Sequence, residues 1–289
     1  MVDSWLNSPM PRIPQTTLRD LAERYSVVLF DAYGVLAGSN FVAPEAPEAI
    51  RLLLRLKKPY FVLTNDASSL PETRAASYKS LGLPIDWTRI ITSGSLLSGY
   101  FPENDLVGSR CVVLGPADSV RYVESAGGRV VEYGDDFDAL IIGDQAGFPF
   151  LEAADTVLSA LFRQIDAGKP VSLVLPNPDL IYPEGFGFGF ASGSVALIFE
   201  SALELRYPDR PDLRFTRLGK PHPAIFHEAF RRSGTMDMVM IGDQIETDIR
   251  GANDFGIASA LISTGISGYD VSRLPDAERP DFLIESLAI

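Results

Sequence analysis

Cysteine is almost missing from this chain: Cys111 is the only one in 289 residues. No internal disulfide can form, and the usage suits a reducing cytosol. Cys111 lies in the apolar stretch Cys111-Val112-Val113-Leu114 and reads as a buried strand residue, not a reactive thiol. Histidine is nearly as scarce. His222 and His227 stand five apart with no further ligands, which is not a metal-binding pattern. His222 reads as structural or capping, and His227 as a surface residue of a helix. No apolar run reaches about 18 residues, so no transmembrane helix is expected. The segment Met1-Val2-Asp3-Ser4-Trp5-Leu6 lacks the basic and apolar regions of a signal peptide. A cytoplasmic protein is the resulting expectation. Positive charge is also in deficit: 25 Lys and Arg against 38 Asp and Glu leave a net charge of -13. That argues against nucleic acid as a partner, because its phosphates would be repelled. A small phosphate ester stays open, since a local metal ion overrides the global field.

What the chain has is enough apolar residue for a sizeable core, at 46% hydrophobic and 22% charged, over a length that fits two ordinary domains or one large one. Its organising stretch is Val27-Val28-Leu29-Phe30-Asp31-Ala32-Tyr33-Gly34-Val35-Leu36. An apolar run of this kind fills a buried strand of a parallel sheet. It stops on Asp31, at the carboxyl end of the strand, where open α/β sheets place their ligands. A strand-ending turn is the plainer reading of the same residues.

A Pro-containing arm and a short helix at 17–24 precede this strand. A helix follows at about 48–57, stopped by Pro59. Residues 60–66 form a second apolar strand with a polar end, then come a helix at about 72–81 and a third such strand at 89–94. Strands separated by helices indicate a parallel, doubly wound sheet. The tips Asp31, Thr64-Asn65 and Thr92-Ser93 are expected along one edge. From about residue 105 the pattern restarts, with strands at 110–114, 129–132, 138–142 and 170–175 and helices at 119–126 and 150–166. This second α/β unit reads as an insertion, because the strands that close the first sheet come later, at 238–241 and 258–262. The expected division is a discontinuous Rossmann-like core, 1–104 with 188–289, and an inserted α/β cap, 105–187. The alternation Gly185-Phe186-Gly187-Phe188-Gly189-Phe190 suits a hinge, and less readily a half-buried strand. No internal repeat or low-complexity tract is visible.

Four stretches then fall on the edge of one sheet: Asp31-x-Tyr33-Gly34-Val35; Thr64-Asn65; Gly219-Lys220-Pro221-His222-Pro223; and Gly242-Asp243-Gln244-Ile245-Glu246-Thr247-Asp248-Ile249-Arg250-Gly251-Ala252. In this order they resemble the haloacid dehalogenase (HAD) superfamily. The Gly-Lys-Pro loop, the fourth stretch and the inserted α/β unit are similar to its NagD-like branch, subclass IIA. The resemblance covers nearly the whole chain from Val27. It implies a hydrolase of a small phosphorylated metabolite, a sugar phosphate or a nucleotide, with Mg²⁺ as cofactor.

The residue types suit that chemistry. A carboxylate can attack phosphorus and split hydrolysis into formation and breakdown of an aspartyl phosphate; Asp31 is the expected nucleophile. Two anions approach only if cations intervene, and Mg²⁺ prefers hard oxygen ligands. Asp243 is expected to share the metal with Asp31, and the resemblance adds the main-chain carbonyl of Tyr33 as a third ligand. Asp248 is expected as an outer ligand, or merely as a stabiliser of a helix N-terminus. Lys220 is expected to pair with Asp31 and the phosphoryl oxygens, and Thr64 and Asn65 to donate hydrogen bonds to the phosphoryl group. Asn177-Pro178-Asp179 resembles a cap loop that this branch places near the active site. It is equally a turn, since Asn-Pro and Pro-Asp are turn formers.

One residue departs from the family pattern. HAD phosphatases carry a second aspartate two residues after the nucleophile, as acid and then base; here that position is Tyr33. A phenol has a pKa of about 10, so it is a poor base near neutrality, and general acid–base help is worth roughly 10²–10⁴-fold. Slow turnover of ordinary esters is expected, or a leaving group that needs no proton. Tyr at this place also resembles the haloacid dehalogenases of the superfamily, which makes dehalogenation an alternative. Against it, only 33 positions separate Asp31 from Thr64, too few for a helical cap there, and the acidic pair Asp243 and Asp248 is kept. A catalytically weak protein that binds a phosphometabolite is the other alternative. A homodimer is expected from the resemblance alone.

Overall fold

The computed structural model describes residues 12–38, 42–184, 187–263 and 274–289. The first eleven residues of the arm, where the signal-peptide reading falls, and Gly185 and Phe186 lie outside the described residues.

In chain order the elements are α1 (Leu18–Arg24), β1 (Val27–Asp31), α2 (Ala46–Arg55), β2 (Tyr60–Thr64), α3 (Pro71–Ser80), β3 (Ile90–Thr92) and α4 (Leu97–Glu103). Then come β4 (Arg110–Leu114), α5 (Ala117–Ser125), β5 (Arg129–Val130), β6 (Ala139–Ile142), α6 (Phe150–Asp166), β7 (Ser172–Leu175), β8 (Ile181–Glu184), β9 (Gly187–Phe190) and α7 (Ser192–Arg206). The chain closes with β10 (Thr216–Arg217), α8 (Pro223–Ser233), β11 (Met238–Gly242), α9 (Arg250–Phe255), β12 (Ala258–Ile262) and β13 (Phe282–Ile284). Parallel sheets flanked by helices make this an α/β fold of Rossmann-like type, as the strand–helix alternation predicts. The chain forms two compact units, Met1–Tyr60 with Ser233–Ile289, and Phe61–Arg232.

In the first unit the strands run in the order β13-β12-β11-β1, all parallel. Every residue of β1 and β11 is buried, which is why both read as unbroken apolar runs. β11 lies against β1 although most of the chain separates them in sequence, so the late strands do close the first sheet. Thr17 caps α1 with Asp20 in a reciprocal capping box. The arm before it joins the sheet edge, where Thr16 N–H donates to Leu283 O at 2.9 Å.

In the second unit β2 and β3 pair in parallel, with Thr64 level with Thr92. A five-stranded parallel sheet has the order β10-β7-β6-β4-β5. The 17-residue helix α6 turns Ala153, Val157, Ala160, Leu161 and Gln164 inward at helical spacing. The core of this sheet extends beyond residue 187. Val195, Phe199 and Leu203 of α7, with Leu213 and Phe215, share one buried cluster with β4, β6 and β7. The nearly buried Glu200 accepts from Phe215 N–H at 2.9 Å and pairs with Arg217 at 2.9 Å, which ties α7 to β10. The stretch read as a hinge is a strand where described: β9 pairs antiparallel with β8. Alternation of Gly and Phe has the period of a strand, and Phe188 and Phe190 stand on one exposed face. Cys111 is fully buried in β4, and burial pushes its thiol up to about 11. Among the described residues no helix is long and apolar enough to cross a membrane.

Candidate active site

Two clusters of the expected site residues form, one in each unit. In the first, the register of β1 and β11 sets Phe30 against Ile241, so the strands end together. Asp31 closes β1, and Asp243 follows the last residue of β11. A π-helical turn, Ile245–Ile249, then leads into α9 and brings Asp248 back, where its Oδ2 accepts from Gln244 N–H at 3.2 Å. One oxygen from each of Asp31, Asp243 and Asp248 lies within 4.8 Å of the others. The three residues are 5%, 1% and 0% exposed. Among the described residues no other group of His, Cys, Asp and Glu is placed to hold a metal.

Glycines make this approach possible. Gly34 has φ +94°, and a β-carbon there would stand 2.2 Å from Asp243 Oδ2. A β-carbon on Gly242 would stand 2.2 Å from the Asp248 β-carbon. The turn that carries Gly34 is tied by Leu36 and Ala37 N–H groups, both donating to Ala32 O at 3.0 Å. Tyr33, in the same turn, is half-buried and bridges to Ala37. Three carboxylates crowded out of water repel one another at high cost unless a cation neutralises them. An all-oxygen donor set without His or Cys fits a hard divalent ion such as Mg²⁺.

The second cluster gathers Thr64, Asn65, Asp179 and Lys220. Thr64 Oγ1 accepts from Asp66 N–H at 3.3 Å, which leaves its hydroxyl hydrogen to be donated elsewhere. Ser93 braces the same loop: its N–H donates to Thr64 O at 2.9 Å and its hydroxyl to Asn65 O at 2.7 Å. Thr92, expected at the edge, is turned to the Tyr122 hydroxyl at 2.6 Å. The Asn65 side chain is wholly engaged. Its Oδ1 accepts from Lys220 N–H at 2.7 Å, and its Nδ2 donates to Lys220 O at 2.9 Å and to Asp179 Oδ1 at 2.8 Å. Asn177 Oδ1 accepts from Asp179 N–H at 2.9 Å, which closes the turn that Asn-Pro-Asp suggests. His222 N–H donates to Gly219 O within the next turn, and His227 is exposed on α8, as expected.

Sequence reasoning passed over one titratable residue here. Asp144, just beyond β6, is mostly buried and accepts from Ala146 N–H at 2.8 Å. Burial, reinforced by the nearby negative charge of Asp66, pushes its carboxyl up to about 6. Asp66 itself is held by Arg74 at 2.5 Å.

Known proteins agree with these features. The model of the haloacid dehalogenase-like hydrolases matches residues 28–129, and a second, HAD-hydrolase-like model matches residues 217–288. The dihydroxyacetone phosphatase of Corynebacterium glutamicum is 27% identical over 90% of this chain and 88% of its own length. A possible sugar phosphatase of Cytophaga hutchinsonii superposes with a TM-score of 0.81 at 29% identity, covering 96% of this chain and 99% of that one. The glycerol phosphate phosphatase of Mycobacterium tuberculosis, solved in complex with magnesium, gives a TM-score of 0.79 at 23% identity over 92% of this chain and 77% of that one. The chain belongs to the haloacid dehalogenase-like hydrolases.

Proposed function

We propose that this hydrolase is a Mg²⁺-dependent phosphatase of a small phosphorylated metabolite, a sugar phosphate or a nucleotide, acting in the cytoplasm. The observation that carries the reading is the buried trio Asp31, Asp243 and Asp248, packed against two glycines that leave no room for side chains. Asp31, Asp243 and Asp248 would hold the ion, with the main-chain carbonyl of Tyr33. Bound there, Mg²⁺ supplies the positive charge that lets one anion approach another.

Asp31 attacks phosphorus, and the phosphoryl group passes to its carboxylate as the alkoxide departs. Lys220, the Thr64 hydroxyl and the main-chain N–H of Asn65, whose side chain is spent on Lys220 and Asp179, are the groups assigned to the phosphoryl oxygens. Water then attacks the aspartyl phosphate and returns Asp31. Tyr33 stands where an aspartate would take the proton from that water. A phenol takes it poorly near pH 7, so the second step is slow. Residues 105–187, with α7 and β10 added, act as the cap that selects the substrate. The homodimer belongs to the same reading, and sedimentation equilibrium reads it directly.

Phosphate release from a panel of phosphorylated metabolites, with Mg²⁺ and with EDTA, tests the proposal. Slow release that EDTA and Asp31→Asn abolish is expected. Release at ordinary phosphatase rates would overturn the part given to Tyr33. Release that EDTA leaves unchanged would overturn the part given to the carboxylates.

A further inference from the structure

The Asn65 amide carries one acceptor and two donor hydrogens, and all three are spent on two residues. Two of the bonds run to the N–H and the C=O of Lys220, so they fix the main chain of that one residue. Asn65 is 6% exposed and Lys220 2%, so water does not compete for these bonds. The two Lys220 bonds already select one orientation of the amide, and the third bond braces it. A carboxylate only accepts, so Asp179 admits the Nδ2 edge and rejects the oxygen. With the amide turned over, Oδ1 would face both the Asp179 carboxylate and the Lys220 carbonyl, and Nδ2 would face the Lys220 N–H. Every contact would then set like against like.

Asp179 is itself held in place. Asn177 Oδ1 takes its N–H, and its carbonyl accepts from Gly193 N–H at 2.9 Å. A β-carbon on Gly193 would stand 2.3 Å from Pro178 O, and one on Gly219 would stand 2.5 Å from Asn65 Oδ1. The approach to Lys220 is zipped to the same loop. β10 pairs with β7, and beyond them Leu218 N–H donates to Leu175 O at 3.1 Å and Gly219 N–H to Pro176 O at 2.9 Å.

We propose that Asp179 is a positioning residue: by bracing the Asn65 amide it steadies the main chain of Lys220, the lysine assigned above to the phosphoryl group. The proposal rests on that assignment. Its role is separate from contact with the substrate, which the Asn-Pro-Asp resemblance would suggest. Asp179→Ala leaves one buried Asn65 hydrogen without an acceptor, whereas Asp179→Asn can still offer a carbonyl oxygen to it.

The experiment combines kinetics and exchange on the full chain, with 4-nitrophenyl phosphate as the probe. Asp179→Ala is expected to lower kcat/KM about 10- to 100-fold, the scale of a misplaced group, and Asp179→Asn to restore most of it. In a Lys220→Ala background Asp179→Ala should cost nothing further, because both act through one group. Amide hydrogen exchange across residues 218–222 should quicken in Asp179→Ala and return in Asp179→Asn. Circular dichroism of both variants guards against simple unfolding. Full activity in Lys220→Ala would sink the assignment of Lys220 itself. An equal loss from Asp179→Ala with and without Lys220, or unchanged exchange at 218–222, would overturn the clamp while leaving that assignment standing.

Discussion

Asp243 leaves no room for a side chain at Gly34: a β-carbon there would sit 2.2 Å from its Oδ2. The carboxylate cannot retreat cheaply, because Asp243 is 1% exposed and closely surrounded. Gly34→Ala is therefore expected to weaken Mg²⁺ binding at least about tenfold, since either the turn or the carboxylate must move. Gly82 is the control. It has φ +83° but open space around its α-carbon. Gly82→Ala incurs the same backbone strain, roughly 1–2 kcal/mol, and should leave Mg²⁺ affinity unchanged. Isothermal titration calorimetry on both variants checks this.

Neutralising one carboxylate of the trio should separate stability from binding. Asp243→Asn relieves repulsion among three buried acids, so the metal-free protein is expected to melt at a higher temperature than the wild type. The wild type should gain about 2.7 kcal/mol at Mg²⁺ one hundred times above Kd, by mass action. Asp243→Asn should lose most of that gain. Thermal melts across a Mg²⁺ series read both effects.

Asp144 gives a pH dependence with a definite sign. Its folded pKa of about 6 lies above the unfolded value of roughly 3.9, so the folded state holds the proton longer. Its contribution to stability is intact below about pH 4 and is lost as the pH rises through 6. Asp144→Asn should match the wild type near pH 4 and exceed it above pH 6. Partial exposure discounts the gain to about 1–2 kcal/mol. Denaturant melts at several pH values would show the gap opening across this window. A gap that closes with rising pH would contradict the burial argument.

The packing of α7 on the second sheet makes its own prediction. Phe199 on α7 is 2% exposed and meets Phe215 edge to face at 6.5 Å. Phe199→Ala is expected to cost about 3–5 kcal/mol of stability, as deletion of a buried ring does. Chemical denaturation measures it. A loss below 1 kcal/mol would mean that α7 does not share the core of the second sheet.

These relationships differ in how far they can be read from sequence. The strand tips Asp31, Thr64 and Asp243 are legible because buried parallel strands are unbroken apolar runs, and a polar residue at the end interrupts them. Lys220 is legible only through its order with the other motifs. The clamp is not legible at all. Asn65 lies 114 positions from Asp179 and 155 from Lys220, and no local pattern marks an amide that will be oriented from so far away. The packing of α7 on the second sheet is not legible, because α7 is apolar on several faces and carries no periodicity that says which sheet it covers. The permissiveness of glycine suggests a hinge at the Gly-Phe alternation, but its period of two is that of the strand that forms there, β9.

In the proposed mechanism Asp31 carries the phosphoryl group and Tyr33 slows its departure. The protein can be mixed with Mg²⁺ and 4-nitrophenyl phosphate, quenched in acid, and its peptides mapped by mass spectrometry. One phosphoryl group is expected on the peptide containing Asp31, accumulating in the wild type. In Tyr33→Asp that adduct should fade while turnover rises about 10²- to 10⁴-fold. Turnover of the ester with no adduct in the wild type, and no gain from Tyr33→Asp, would contradict the mechanism.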